Sequence, residues 1–228
     1  MWRRILKNKI FPAFVVCAAV LALWAQPSLS AVSSGGIVAV DAGHGGYDDG
    51  IVYNSRSGVQ IKEKDVSLKI SQAVISALRA KGMGAFAVRP VDRYMDISQR
   101  ARGAQAKSPG LFLSIHLSST GAFNVYVTSI PQDQGDLRRF YLYSKRQRPY
   151  IEKSRAFALT LEQSIKQAFP NVNVSYTEIP LPLLNEIGAP AVLLECPSPA
   201  YFNYKDTAVP GLIAQAVANA VMDFNAKN

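Results

Sequence analysis

Ile37-Val38-Ala39-Val40-Asp41-Ala42-Gly43-His44-Gly45-Gly46 is the stretch that sets the fold. The apolar run 37–41 reads as a buried strand, and the glycines after it form a tight turn that carries a histidine. A side chain at the end of a buried strand is held rigidly and points into the crevice where open α/β sheets bind ligands. Downstream, Val66, Ile70, Ala73, Val74, Ala77 and Leu78 recur at three- and four-residue intervals, predicting a helix over 65–81 with Gly82 as its stop. Further strands are predicted at 85–88, 111–117, 123–129 (nearer an edge) and 191–195, with helices at 97–106, 152–169 and 209–224. Strands alternating with helices predict an α/β fold: one domain, a mostly parallel twisted sheet of about six strands, and helices on both faces.

Residues 1–30 stand apart. Arg3, Arg4, Lys7 and Lys9 precede an apolar stretch from Ile10 to Ala25, and small residues approach Ser30. This is the layout of a secretory signal peptide, with residues 31–228 as the mature domain, exported to the periplasm or cell wall. An uncleaved anchor is the alternative, but the apolar stretch falls short of the ~20 residues that span a bilayer. Cys17 follows Val15-Val16 rather than small residues, so a lipid-modified cysteine is not expected. Without the leader's four cations, the formal charge of +9 becomes 21 Lys plus Arg against 16 Asp plus Glu, an excess of five. Such an excess favours a polyanionic partner, and export argues against nucleic acid. Cys196 is the only cysteine after residue 30, so no internal disulfide is expected there.

The sequence has two histidines, and each closes an apolar run: His44 after 37–41, and His116 after Leu111-Phe112-Leu113-Ser114-Ile115. Between them Glu63-Lys64-Asp65 opens the first long helix. Catalytic zinc takes three protein ligands and keeps a fourth position open, and imidazole and carboxylate both suit it. His44, Glu63 and His116 are therefore candidate ligands for one zinc ion; a solvated helix start beside Lys62 and Lys64 is the competing reading of Glu63. Glu195 ends the apolar run Pro190-Ala191-Val192-Leu193-Leu194. A carboxylate there is costly without a task or a partner. It is a candidate general base for metal-assisted hydrolysis, or else one half of a salt bridge to an arginine.

These residues resemble the zinc-dependent N-acetylmuramoyl-L-alanine amidases, which release stem peptides from bacterial peptidoglycan. The likeness lies in the Asp-Ala-Gly-His-Gly-Gly of 41–46, the Glu-Lys-Asp of 63–65, the Ser-Ile-His of 114–116 and the Pro-Ala-Val-Leu-Leu-Glu of 190–195. In this order the four motifs are specific, and they run through nearly all of the mature chain. The resemblance implies His44, Glu63 and His116 as zinc ligands and Glu195 as the catalytic glutamate. It also implies structural duties for Arg89 and Arg100. Two stretches depart from the family pattern, Leu117-Ser118-Ser119 and Cys196-Pro197-Ser198-Pro199. Both alter the rim of the expected cleft. Cys196 has no third histidine to activate it and reads as an inert buried thiol.

Residues 131–152 interleave Arg138, Arg139, Lys145, Arg146 and Arg148 with Phe140, Tyr141, Tyr143 and Tyr150. Three readings stay open: a solvated excursion, a substrate rim, or a lid over the metal. By resemblance, an activator protein could act on this segment. The expected substrate is peptidoglycan, cut between N-acetylmuramic acid and L-alanine. A zinc peptidase on another wall peptide bond, and a non-catalytic wall-binding homologue, are the alternatives.

Overall fold

The structure, a computed structural model, describes residues 36–55, 58–129 and 146–227. The leader expected at 1–30 lies outside the described residues, as does most of the 131–152 segment. Among the described residues no helix is long and apolar enough to cross a membrane.

Among the described residues eight strands form two sheets: β1 (Val38–Ala42), β2 (Val52–Asn54), β3 (Gln60–Lys62), β4 (Ala85–Ala87), β5 (Leu111–Leu117), β6 (Phe123–Thr128), β7 (Val174–Ile179) and β8 (Ala191–Cys196). The main sheet has the order β4-β1-β5-β8-β6-β7, while β2 and β3 pair as a small antiparallel hairpin. From β4 to β8 every pairing is parallel. Strand β6 runs antiparallel to β8, and β7 is parallel to β6. The sheet is thus mostly parallel, with six strands. The reversal arises at the 118–122 connection, which turns the chain back so that β6 begins at the end of the sheet where β5 and β8 finish.

Burial explains the composition of the strands. All of β1 is buried and β5 is buried except at His116, the continuous apolar signature of strands covered on both faces. On one face Val38, Val40, Leu113, Ile115, Val125 and Leu194 pack against α1 (Glu63–Ala80), α3 (Ile151–Ala168) and α5 (Ala208–Lys227). On the other, Ala39, Phe86, Phe112 and Ala191 pack against α2 (Ile97–Gln105) and the single turn α4 (Pro182–Asn185). Among the described residues this second cover is short, and the strand ends beyond it hold Glu195, Asn124 and Tyr126 part-buried.

Three differences from the sequence reading have physical causes. Helix α1 starts at Glu63, two residues before the span given by the apolar periodicity, because Lys62 at its N-cap offers no capping side chain to mark the start. Strand β7 was not expected; it lies at the sheet edge and alternates part-buried with exposed residues, so its apolar signal is weak. It also takes the edge position that the reading gave to 123–129, leaving β6 second from the edge. Helix α2 falls where expected, since Asp96 and Gln99 form a reciprocal capping box.

Candidate metal centre and catalytic cleft

The turn after β1 is fixed from beneath by two arginines. Arg89, fully buried, donates from Nε to the Ala42 carbonyl at 2.8 Å and from Nη2 to those of Gly43 and Lys64 at 2.9 and 2.8 Å. Arg100 donates to the Ala42 carbonyl at 2.6 Å, the His44 carbonyl at 2.6 Å and Asp41 Oδ1 at 2.8 Å. Ser114 donates to the other Asp41 oxygen at 3.0 Å, so the buried carboxylate is satisfied on both sides. Three consecutive carbonyls, 42 to 44, are therefore drawn inward, and His44 takes a left-handed backbone with φ 60°. Its imidazole is thereby turned towards the strand ends. The structural duties expected of Arg89 and Arg100 are those observed.

Three of the four expected site residues converge. His44 Nε2 lies 3.1 Å from Glu63 Oε1, and His116 Nδ1 lies 2.9 Å from the same oxygen. One donor atom from each of the three residues falls within 4.8 Å of the others. Glu63 is not a solvated helix start: it is 2% exposed. Its Oε1 accepts from the Leu117 amide and its Oε2 from the Ile51 amide, both at 2.9 Å. The β2–β3 hairpin follows Ile51 and returns the chain to Glu63, whose own amide donates to the Ile51 carbonyl at 2.9 Å.

The surroundings leave little freedom. A Cβ on Gly43 would come 2.3 Å from the His116 ring, and one on Gly50 would come 2.6 Å from His44 and 2.7 Å from Glu63. Asp48, four residues beyond His44, holds His44 Nδ1 at 2.9 Å from both carboxylate oxygens. A carboxylate at Nδ1 favours the ring proton there and leaves Nε2 available to a cation, the usual outer support of a metal-binding histidine. Burial works against the charge on Glu63, but hydrogen bonds with His116 and His44 hold its carboxyl well below the usual carboxylate range. Burial likewise works against a proton on His44, yet Glu63 and Asp48 together raise its pKa. Two imidazoles gathered around a buried carboxylate attract a cation, whether protons or a metal ion. Two nitrogens and one carboxylate oxygen are a donor set that fits zinc with an open position.

Glu195 is in register with His116 on the adjacent strand and therefore shares its face of the sheet. Its Oε2 accepts from Asn124 Nδ2 at 3.1 Å and from the Tyr126 hydroxyl at 3.2 Å. Both donors lie on β6, where Asn124 is the register partner of Glu195. Among the described residues these are its hydrogen-bond partners, and no arginine among them forms the salt bridge expected as the alternative. Sequence reasoning missed Asn124 and Tyr126. Their alternation on β6 marks them as sharing a face, but nothing in the chain announces pairing with a strand about 70 residues away. Asp48 was also missed, although its four-residue offset from His44 is a local signal.

The two stretches that depart from the family pattern lie side by side. The Ser118 amide donates to the Cys196 carbonyl and the Ser198 amide to the Thr120 carbonyl, each at 2.7 Å. They form one rim. Cys196 itself is buried and free, and burial pushes its thiol far above the usual range, as the inert reading requires. A cleft of about 560 Å³ opens beside the two histidines, lined also by Tyr94, Met95, Ile97, Leu181, Leu183 and Leu193.

The profile of the family described as N-acetylmuramoyl-L-alanine amidase matches residues 38–222. The chain belongs to that family. Over 101 residues it is 37% identical to the uncharacterized protein YqiI of Bacillus subtilis (strain 168), covering 43% of this chain and 47% of that one. Over 88 residues it is 39% identical to the N-acetylmuramoyl-L-alanine amidase AmiA of Escherichia coli (strain K12), covering 38% of this chain and 29% of that one. These matches span less than half the length of the curated relatives. Among solved structures, the amidase AmiC2 of Nostoc punctiforme has a TM-score of 0.64 at 21% identity, covering 84% of this chain and 98% of that one. The CwlD amidase of Clostridioides difficile, solved in complex with the GerS lipoprotein, has a TM-score of 0.59 at 18% identity, covering 85% and 100%. The amidase fold is therefore shared well beyond recognisable sequence identity.

Proposed function

We propose that this protein is a zinc-dependent peptidoglycan amidase that hydrolyses the amide between N-acetylmuramic acid and the L-alanine of the stem peptide. The observation that carries the reading is the convergence of His44, Glu63 and His116, with Glu195 in register beside them. Family membership supplies the substrate class.

His44 Nε2, His116 Nδ1 and Glu63 would hold the ion. Bound there, zinc supplies Lewis-acid polarisation of a carbonyl and lowers the pKa of a water to about 7. Glu195 acts as the base. It takes a proton from the attacking water as the oxygen bonds to the lactyl carbonyl carbon, and gives that proton to the alanine nitrogen as the C–N bond breaks. The carboxylate is regenerated, and one water is consumed per bond cut. Asn124 and Tyr126 occupy Oε2 and fix the plane of the carboxylate, which leaves Oε1 to carry the proton. The buried arginines and glycines keep the imidazoles in place through the cycle.

Peptidoglycan as substrate implies action outside the cytoplasm, and the arrangement of residues 1–30 supports export by a cleaved leader. Control by an activator through residues 131–152 is part of the same proposal, supported by the complex of the relative CwlD with a lipoprotein. The test is mass analysis of products from purified peptidoglycan, with zinc counted on the protein. Glu195→Gln should keep its zinc and lose peptide release by about 10²–10⁴-fold. Release of peptide lacking L-alanine would make the protein a peptidase instead. Zinc binding without release by the wild type would make it a wall-binding homologue.

A further inference from the structure

Immediately beside the metal ligands lies a pair of aromatic rings that the hydrolytic mechanism does not use. Tyr47 and Tyr94 stack with their centroids 4.3 Å apart and their planes 22° from parallel. Tyr47 is 80% exposed and Tyr94 is 42% exposed, so the pair contributes little to the core. Yet the backbone holding it is tightly built. Gly45 and Asp48 exchange two backbone hydrogen bonds at 2.9 and 3.2 Å, which puts Tyr47 at the tip of a closed two-residue turn. The Gly46 amide donates to Asp92 at 2.7 Å, and a Cβ on Gly46 would meet the Tyr94 amide nitrogen at 2.6 Å. With φ 61° at Gly46, only glycine lets the two loops approach this closely. The fold therefore presents a rigid, solvent-facing aromatic surface three residues from His44.

We propose that the Tyr47–Tyr94 stack is a carbohydrate platform that binds a pyranose ring of the glycan chain next to the sugar whose stem peptide is being released. The inference rests on the amidase reading and adds to it where the sugar polymer lies. A pyranose shows a flat row of apolar C–H bonds that packs on an aromatic face, ringed by hydroxyls that need hydrogen-bond partners. Both are provided: Tyr94 continues into the cleft containing His44 and His116, and Asp96 and Ser98 line the same wall. An exposed rim also suits a polymer, whose further sugars must leave the cleft across the surface, better than a short stem peptide.

The experiment titrates the full chain with peptide-free β-1,4-linked N-acetylglucosamine hexamers by calorimetry, alongside peptide release from polymeric and single-sugar muramoyl peptides. Tyr47→Ala should weaken hexamer binding about tenfold, and Tyr47→Trp should retain it. The loss of kcat/KM in Tyr47→Ala should be about tenfold greater on polymer than on the single-sugar substrate. Equal hexamer affinity in wild type and Tyr47→Ala, or no hexamer binding by the wild type, overturns the platform. So does an equal kcat/KM loss on both substrates. If the wild type binds the hexamer through Tyr47 but releases no peptide, the platform stands and the amidase reading falls.

Discussion

On one face of the sheet, three long helices cover the strands along their length, and the side chains between them are apolar and fully buried. On the other face, the described helices α2 and the single turn α4 cover only the lower part. Above them, polar side chains do the packing. Asp41, Ser114 and Arg100 make a buried ionic cluster, and Asn124, Tyr126 and Glu195 make a second, part-buried group. The first face derives its stability from apolar area, whereas the second spends part of its surface on fixed donors and acceptors around a cleft. Truncation on the first face should therefore change stability and leave metal binding alone, while changes at the strand ends of the second should do the reverse.

The largest effect is expected on the thickly covered face. Phe157 is fully buried and meets Phe224 edge-on at 5.4 Å. Phe157→Ala should cost about 3–5 kcal/mol through lost burial and the cavity left behind. Denaturant unfolding measures this, and zinc affinity in the still-folded protein should match the wild type. A variant that folds but no longer binds zinc, where the wild type does, would erase the separation between the faces.

At the strand ends Gly43→Ala should behave the opposite way. Gly43 has no left-handed backbone to lose, so the added methyl acts through its contact with the His116 ring. Zinc affinity should fall about 100-fold, with a much smaller change in unfolding midpoint. Asp48→Ala is the milder form of the same test. It leaves the ligands in place but frees His44 Nδ1, and zinc affinity should drop about tenfold. Chelator competition reads both. Unchanged affinity in Asp48→Ala would mean that the arginine-held backbone alone orients His44.

The same contrast explains what could be read from the sequence. The thickly covered face announces itself, because burial on both sides turns β1, β5 and β8 into apolar runs and leaves a helical period in α1 and α5. His44, Glu63, His116 and Glu195 are legible because each sits at a boundary, either where an apolar run stops or where a helix begins. What supports them is not legible. Asn124 and Tyr126 owe their position to β8 entering between β5 and β6, a long-range pairing with no local mark. Arg89 and Arg100 carry no local mark of their own: the family resemblance suggested structural duties, and only the inward-drawn carbonyls of 42–44 show what they hold. Strand β7 has no continuous burial to betray it.

The smallest effect asked of the comparison concerns Tyr126, whose hydroxyl is one of two donors to a single Glu195 oxygen. Tyr126→Phe removes that donor, keeps the ring and leaves Asn124 in place. Net hydrogen bonds of this kind contribute about 1 kcal/mol, so kcat should fall roughly three- to tenfold. KM should stay within about twofold, because the phenol holds the proposed base rather than the substrate. Asn124→Ala should give a similar loss, and the double variant should lose more than the product of the two, since Glu195 is then free to rotate. If each single variant kept full kcat, Glu195 would be held by the sheet backbone alone. The thinly covered face would then owe its order to the strands rather than to its polar side chains.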